Sequence, residues 1–183
     1  LARGGRGGSG WGGVAGECGH RGLDPGGRQG WCGRRGGAET PLGLASIHGQ
    51  ATGTGYLQNI GELSSRYQGM AAELRSLLDR GDARTLECFA GAGRWLGITI
   101  DAVSGVVNPE LFIVDGFLAA FRDVLEPEMR RYLSGLGGIP AIAAIQVDFG
   151  AADPQQMLVG MVLAGRSRLI GRPSMAAPAA AAG

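Results

Sequence analysis

A chain of 183 residues, 44% apolar and 18% charged, can bury one sizeable core and lacks the composition of a disordered protein. Its net charge of +1 supplies no global field toward nucleic acid or an anionic membrane. Its longest apolar runs, such as "LFIV" and "AIAAI", fall far short of the roughly 20 residues a membrane span needs, so no membrane partner is expected.

All seventeen basic residues are arginine, for which codon usage in a GC-rich genome is the simplest cause. The chain opens "LARGGRGG" with neither methionine nor the apolar core of a signal peptide, and reads as a fragment or an internal start. Cys18, Cys32 and Cys88 form an odd, scattered set, which argues for a reducing compartment, the cytoplasm by default.

Sixteen of the 36 glycines fall in residues 1 to 37, a density that excludes regular helix and leaves turns and short hairpins. After Glu39 the texture changes. "MAAELRSLLDR" has helical spacing, and "GD" at 81 and 82 breaks it and caps the next helix. The series Leu86, Phe89, Gly93, Leu96, Ile100, Val103, Val107 keeps a 3-4 rhythm and predicts one long helix with a buried face, ended by Asn108-Pro109. "LFIVDG" reads as a central strand covered on both faces, "FLAAFRDVLEPEMRRYL" as helix and "IPAIAAIQVDFG" as a second strand. "DPQQMLVGMVLAGRSRLI" opens a last helix on an Asp cap and a Pro, and "RPSMAAPAAAAG" is a low-complexity tail. Strands alternating with helices imply an α/β layer fold with a parallel or mixed sheet.

Residues 16 to 39, "GECGHRGLDPGGRQGWCGRRGGAE", hold two of the three cysteines and one of the two histidines, spaced almost as a metal knuckle and short of ligands. On residues alone, Glu17, His20 and Glu39 on such a loop are most simply solvated surface groups.

The order "GECGH" (16 to 20), "GWCGRRGGAE" (30 to 39), "NPE" (108 to 110) and "LFIVDG" (111 to 116) resembles the ROK family of repressors, open reading frames and sugar kinases, over about residues 10 to 172. The resemblance implies the C-terminal half of an actin-like, ribonuclease-H-like ATPase fold. It divides the chain into a Gly-rich segment with a degenerate zinc and sugar loop (1–40), an α/β domain (41–172) and a disordered tail (173–183). It also implies that Glu17, His20 and Glu39 hydrogen-bond sugar hydroxyls, carboxylates accepting and imidazole doing either. Family members hold a zinc by that histidine and three cysteines at offsets of 10, 12 and 17, which land here on Gly30, Cys32 and Gly37. Only His20 and Cys32 survive, so no stable zinc is expected. Where family kinases close the strand with a glycine pair that lets adenosine approach, this chain has Asp115-Gly116, a weak match that speaks against ATP.

The family's catalytic aspartate and first phosphate loop lie in its N-terminal domain, so no residue here is assigned a catalytic role and this chain alone is not expected to phosphorylate anything. The first reading is therefore the sugar-sensing effector domain of a ROK-type transcriptional regulator. Its partners would be a hexose or sugar phosphate, DNA through a winged helix ahead of Leu1, and a second copy of itself in a homo-oligomer. A truncated or decayed sugar kinase is the alternative. A remote one is RNA binding by "ARGGRGGSGWGG", an RGG-like segment with six arginines against Glu17 and Asp24 over residues 1 to 36.

Overall fold

A computed structural model of the chain describes residues 22–30, 33–55, 60–107, 109, 111–136 and 145–150, with backbone alone for 60–65 and 107. The expected RGG-like segment, the helix after Asp153 and the tail lie outside these residues.

The chain runs α1 (Glu39–Leu42), α2 (Leu44–Thr52), α3 (Ile60–Asp79), α4 (Ala83–Val107), β1 (Leu111–Val114), α5 (Phe117–Ala120), α6 (Arg122–Gly135) and β2 (Gln146–Phe149). β1 and β2 pair in parallel, Leu111 opposite Gln146 and Val114 opposite Phe149, so β1, α5, α6 and β2 form a βαβ unit with α6 as the crossover. Among the described helices none is long and apolar enough to cross a membrane.

The turn at Gly81-Asp82 starts α4 as its residues demand. Gly81 takes a φ of 71°, and Asp82 Oδ2 accepts from the Thr85 amide at 2.8 Å and the Thr85 hydroxyl at 2.6 Å, which holds its carboxyl below the usual range. On α4 the buried face is Phe89, Ala92, Leu96 and Ile100. Leu86, expected to begin that face, is 43% exposed, because the buried stripe starts one residue earlier, at Thr85, which is wholly buried one turn ahead of Phe89.

Two clusters make up the core. Leu44, Ile47, Met70, Leu74, Phe89, Phe121 and Leu125 join α2, α3 and α4 to the start of α6, and Leu96, Ile100, Val114, Met129, Val147 and Phe149 seat the strand pair on α4 and α6. Only one face of the strands takes part. Ile113 is 47% exposed and its partner Asp148 is exposed, so β1 is not covered on both faces as its apolar run suggested. The helix expected over 117–133 is interrupted at Phe121, whose backbone (φ −112°, ψ 25°) leaves the helix while its ring packs on Phe89 at 4.7 Å between centroids. Burial of that ring outweighs helix continuity.

Arg75 on α3 locks this break from outside. Its guanidinium donates to Asp123 Oδ2 at 2.7 Å, to Asp123 Oδ1 at 3.1 Å and to the Ala120 carbonyl, and stacks 4.6 Å over the Phe121 ring. The Arg75 hydrogen bond holds the Asp123 carboxyl below its ordinary range. Such a group stabilises the fold above the unfolded carboxylate value, about 3.9, and loses that contribution as pH falls through its lower folded value. Asp123→Asn should therefore melt lower than the parent at pH 7, by a small margin because the Asp123 side chain is 59% exposed. The difference should narrow as pH is lowered below the unfolded value of about 3.9; a gap of equal size at pH 7 and pH 3 would show that the ion pair is not its source.

Candidate functional site

The loop ahead of α1 is built from backbone. Leu23 and Asp24 amides both donate to the Gly36 carbonyl (2.8 and 3.1 Å), the Gly36 amide donates to the Arg28 carbonyl (2.9 Å), and the Gly30 amide donates to the Arg34 carbonyl (2.8 Å). Two isolated antiparallel bridges, Gly22 with Gly37 and Gln29 with Arg35, complete a short hairpin. Asp24 closes its bend, its carbonyl accepting from the Gly27 amide (2.9 Å) and its Oδ1 from the Gly26 amide (3.0 Å). Gly36 at φ 65° is the tightest position: a Cβ there would collide with the Asp24 carbonyl.

The hairpin delivers Glu39 as the first residue of α1. Thr40, buried, ties the junction by donating both its amide (2.9 Å) and its hydroxyl (2.8 Å) to the Gly37 carbonyl. Neither spacing nor motif singles out Thr40 in the sequence; a hydroxyl residue three positions after a glycine at a helix start is the one signal available. Of the other expected sugar contacts, Glu17 and His20 lie outside the described residues, as does Cys32.

Of the four positions where the resemblance implies zinc ligands, Gly30 and Gly37 are among the described residues. Gly30 and Gly37 have no side-chain donor, and the space into which a side chain at 30 would grow is held by Glu39: a Cβ on Gly30 would run into Glu39 Oε1 and lie 3.3 Å from its Cδ.

The expected adenosine motif sits where the two parallel strands end, the edge at which ligands of open α/β sheets gather. Gly150 continues the ladder by donating to Val114 at 2.8 Å. Asp115 folds back there, its Oδ1 accepting from the Gly116 amide at 2.7 Å and lying 3.2 Å from where a Cβ on Gly150 would stand. Gly116 has φ 71° and ψ −147°, a backbone open only to glycine.

Three other groups are engaged structurally. Buried His48 on α2 bonds Glu73 on α3 at 2.8 Å through Nε2. Cys88 packs half-buried against the first core cluster, and burial pushes its thiol up, away from the reactive thiolate. A shallow groove over α6, lined by Ala120, Arg122, Asp123, Glu126, Pro127 and Arg130, has its Arg122 and Arg130 guanidiniums both bound to Glu126, which they hold below the usual carboxyl range.

Three solved structures share this fold at a level of identity that speaks for fold alone. A ROK family transcriptional regulator, described as a homologue of the E. coli MLC protein, superposes with a TM-score of 0.59 at 22% identity, over 84% of this chain and 39% of its own. A ROK hexokinase from Thermus thermophilus gives 0.60 at 21%, over 86% and 49%. A ROK family glucokinase from Streptomyces griseus, in complex with glucose and AMPPNP, gives 0.63 at 21%, over 85% and 52%. The chain thus spans between two fifths and about half of these proteins. No curated protein sequence matches it. The ROK family model matches residues 2–151, most of the 183, and the chain belongs to the ROK family.

Proposed function

We propose that this chain is the sugar-binding part of a ROK-type transcriptional regulator, sensing a hexose or sugar phosphate and acting on DNA through an N-terminal domain of a longer protein. Family membership implies the actin-like ATPase architecture, with which the mixed α/β elements and the parallel strand pair agree. Glu39 at the head of α1, with Glu17 and His20, supplies the hydroxyl contacts in this reading.

The observation that carries the regulator side is Asp115. Its carboxylate occupies the Gly116 amide and crowds Gly150 at the strand ends, so the edge that an adenosine would approach presents negative charge instead of bare backbone. A truncated or decayed sugar kinase of the same family is the second reading. It is favoured by Gly116, which keeps a backbone open only to glycine, and by the two kinases among the similar structures.

Calorimetric titration separates the two. Glucose should bind weakly, AMPPNP with magnesium should give no heat, and Glu39→Ala should weaken glucose by about tenfold or more, since a hydrogen bond to a charged group is worth roughly 1.5 to 3 kcal/mol. Stoichiometric AMPPNP binding that Gly116→Ala abolishes would favour the kinase, and glucose affinity indifferent to Glu39→Ala would remove Glu39 from the site.

A further inference from the structure

We infer that the outward face of α4 is a contact between two copies of this chain, paired as antiparallel helices about a two-fold axis at Ile98. The inference goes beyond the sugar and DNA readings and rests on neither.

The buried stripe of α4 is Thr85, Phe89, Ala92, Leu96 and Ile100, and its flank at Gly93 and Gly97 receives α6. The side turned away from both should be polar, as the free side of a surface helix is. Its first turns obey, with Arg84 and Glu87 exposed. From there to the helix end the outward positions are instead Gly91, Trp95, Ile98, Ala102, Gly105 and Val106. Val106 is 86% exposed, and Trp95 and Ile98, half-buried, belong to neither core cluster. A Cβ on Gly91 or on Gly105 would meet no atom within 4 Å, so both face open space.

The spacing of these residues points to what covers them. Three rows repeat at seven, the period of one helix lying along another. Gly91, Ile98 and Gly105 run down the middle, Trp95 and Ala102 along one side, and Arg94 and Asp101 along the other. Within one helix Arg94 and Asp101 stand two turns, roughly 10 Å, apart and cannot pair. Tyr132 of α6 hydrogen-bonds Asp101 and holds its carboxylate on that flank.

The rows complement themselves when reversed. In an antiparallel pair centred on Ile98 the two-fold keeps like flanks together and inverts their order. Trp95 then comes beside the partner's Ala102, and Arg94 beside the partner's Asp101. Large meets small on one flank and cation meets anion on the other, each contact made twice. A parallel pair would set the charged flank against the partner's Trp95 and Ala102 and leave both charges without an opposite. From Gly91 to Val106 the face is roughly 22 Å long. One helix face of that length stays below the roughly 1,200 Å² at which stable interfaces begin, so the pair should dissociate in the micromolar range.

The test is sedimentation equilibrium of the full chain from about 1 to 200 μM, with melting of dilute protein read in parallel. The parent should show a reversible monomer–dimer equilibrium. Ile98→Glu sets two carboxylates against each other at the axis and should weaken the dimer by about tenfold or more, with melting within a few degrees of the parent because Ile98 lies outside the core. Arg94→Asp and Asp101→Arg should each weaken the dimer, and the double reversal should restore it toward the parent. A parent that stays monomeric throughout leaves the face to another occupant and overturns the proposal, as does a dimer that Ile98→Glu leaves intact. Should Ile98→Glu fail to fold, the charge reversal decides: a double variant that dimerises no more tightly than the single ones overturns the antiparallel pairing.

Discussion

Gly93→Leu should separate α6 from α4 and destabilise the fold by about 3 kcal/mol or more, at the upper end of what overpacking costs. A Cβ on Gly93 would stand only 2.5 Å from the Leu125 carbonyl oxygen and 3.0 Å from Glu128 Cβ, so the obstacle is mostly the backbone of α6, which cannot turn aside as a side chain can. One turn on, Gly97 meets α6 in the same way, at 2.8 Å from Tyr132 Cδ1 and 3.2 Å from the Met129 carbonyl. The two helices touch along this glycine seam, and a branched side chain inserted there must push α6 outward. Because α6 is the crossover between β1 and β2, the strand ends carrying Asp115 and Gly150 would move with it. Gly91, with open space around it and on the exposed side of α4, is the control: Gly91→Ala should raise stability by up to about 1 kcal/mol through helix propensity alone. Urea melts of the two variants check both signs. A Gly93→Leu protein as stable as the parent would mean that α4 and α6 do not approach this closely.

The rhythm of α4 places Gly93 on the buried face, but periodicity reports which way a residue points and not how near the neighbour comes. That is why the glycine seam is visible only once α6 is in place. The same limit explains Leu86, which keeps the 3-4 spacing while Thr85 beside it takes the buried place, and Ile113, where four consecutive apolar residues give no hint of which face stays open. What is legible has strong local causes: Asp82 after Gly81 starting α4, Asn108-Pro109 after its end, and the parallel pairing expected of strands separated by helix. α2 leaves little trace in the sequence because "LASIHGQAT" carries a glycine and two β-branched residues in nine and is buried along nearly its whole length, so it has no polar stripe to betray it.

At the candidate site the chemistry is more legible than the geometry. The offsets that the family resemblance implies, counted from His20, mark Gly30 and Gly37 as positions without ligands, a conclusion that needs the resemblance and residue type and no coordinates. That Glu39 leans into the space beside Gly30 depends on a hairpin closed by backbone bonds between residues 23 and 36, and main-chain bonding leaves no mark on a glycine-rich sequence. Asp115 shows the converse. Its charge at the strand end is evident from the sequence, while its bond to the Gly116 amide depends on the turn that Gly116 makes at φ 71°.

Phe89→Ala should cost about 3–5 kcal/mol, the usual range for removing a wholly buried phenylalanine, and lower the melting temperature by roughly 6–20 °C in a chain of this size. The ring is fully buried and rests on Phe121, itself 1% exposed, with centroids 4.7 Å apart and planes tilted by 32°. Around this pair gather Leu44 and Ile47 of α2, Met70 and Leu74 of α3, and Leu125 of α6, so a cavity at position 89 is shared by four helices and cannot be closed by the movement of one. Against a total stability of about 5–15 kcal/mol the loss is a large fraction. Phe89→Leu keeps most of the volume and should recover more than half of it. The consequence should reach the site, because α2 comes after α1 with only Gly43 between them, and Leu44 and Ile47 are what hold that corner to the core. Glucose titration of Phe89→Ala well below its melting temperature should therefore show weaker binding than the parent, though Glu39 is untouched. Melting within about 2 °C of the parent would place the ring outside the core. Unchanged glucose affinity in a clearly destabilised variant would show that α1 holds Glu39 independently of the packing beneath α2.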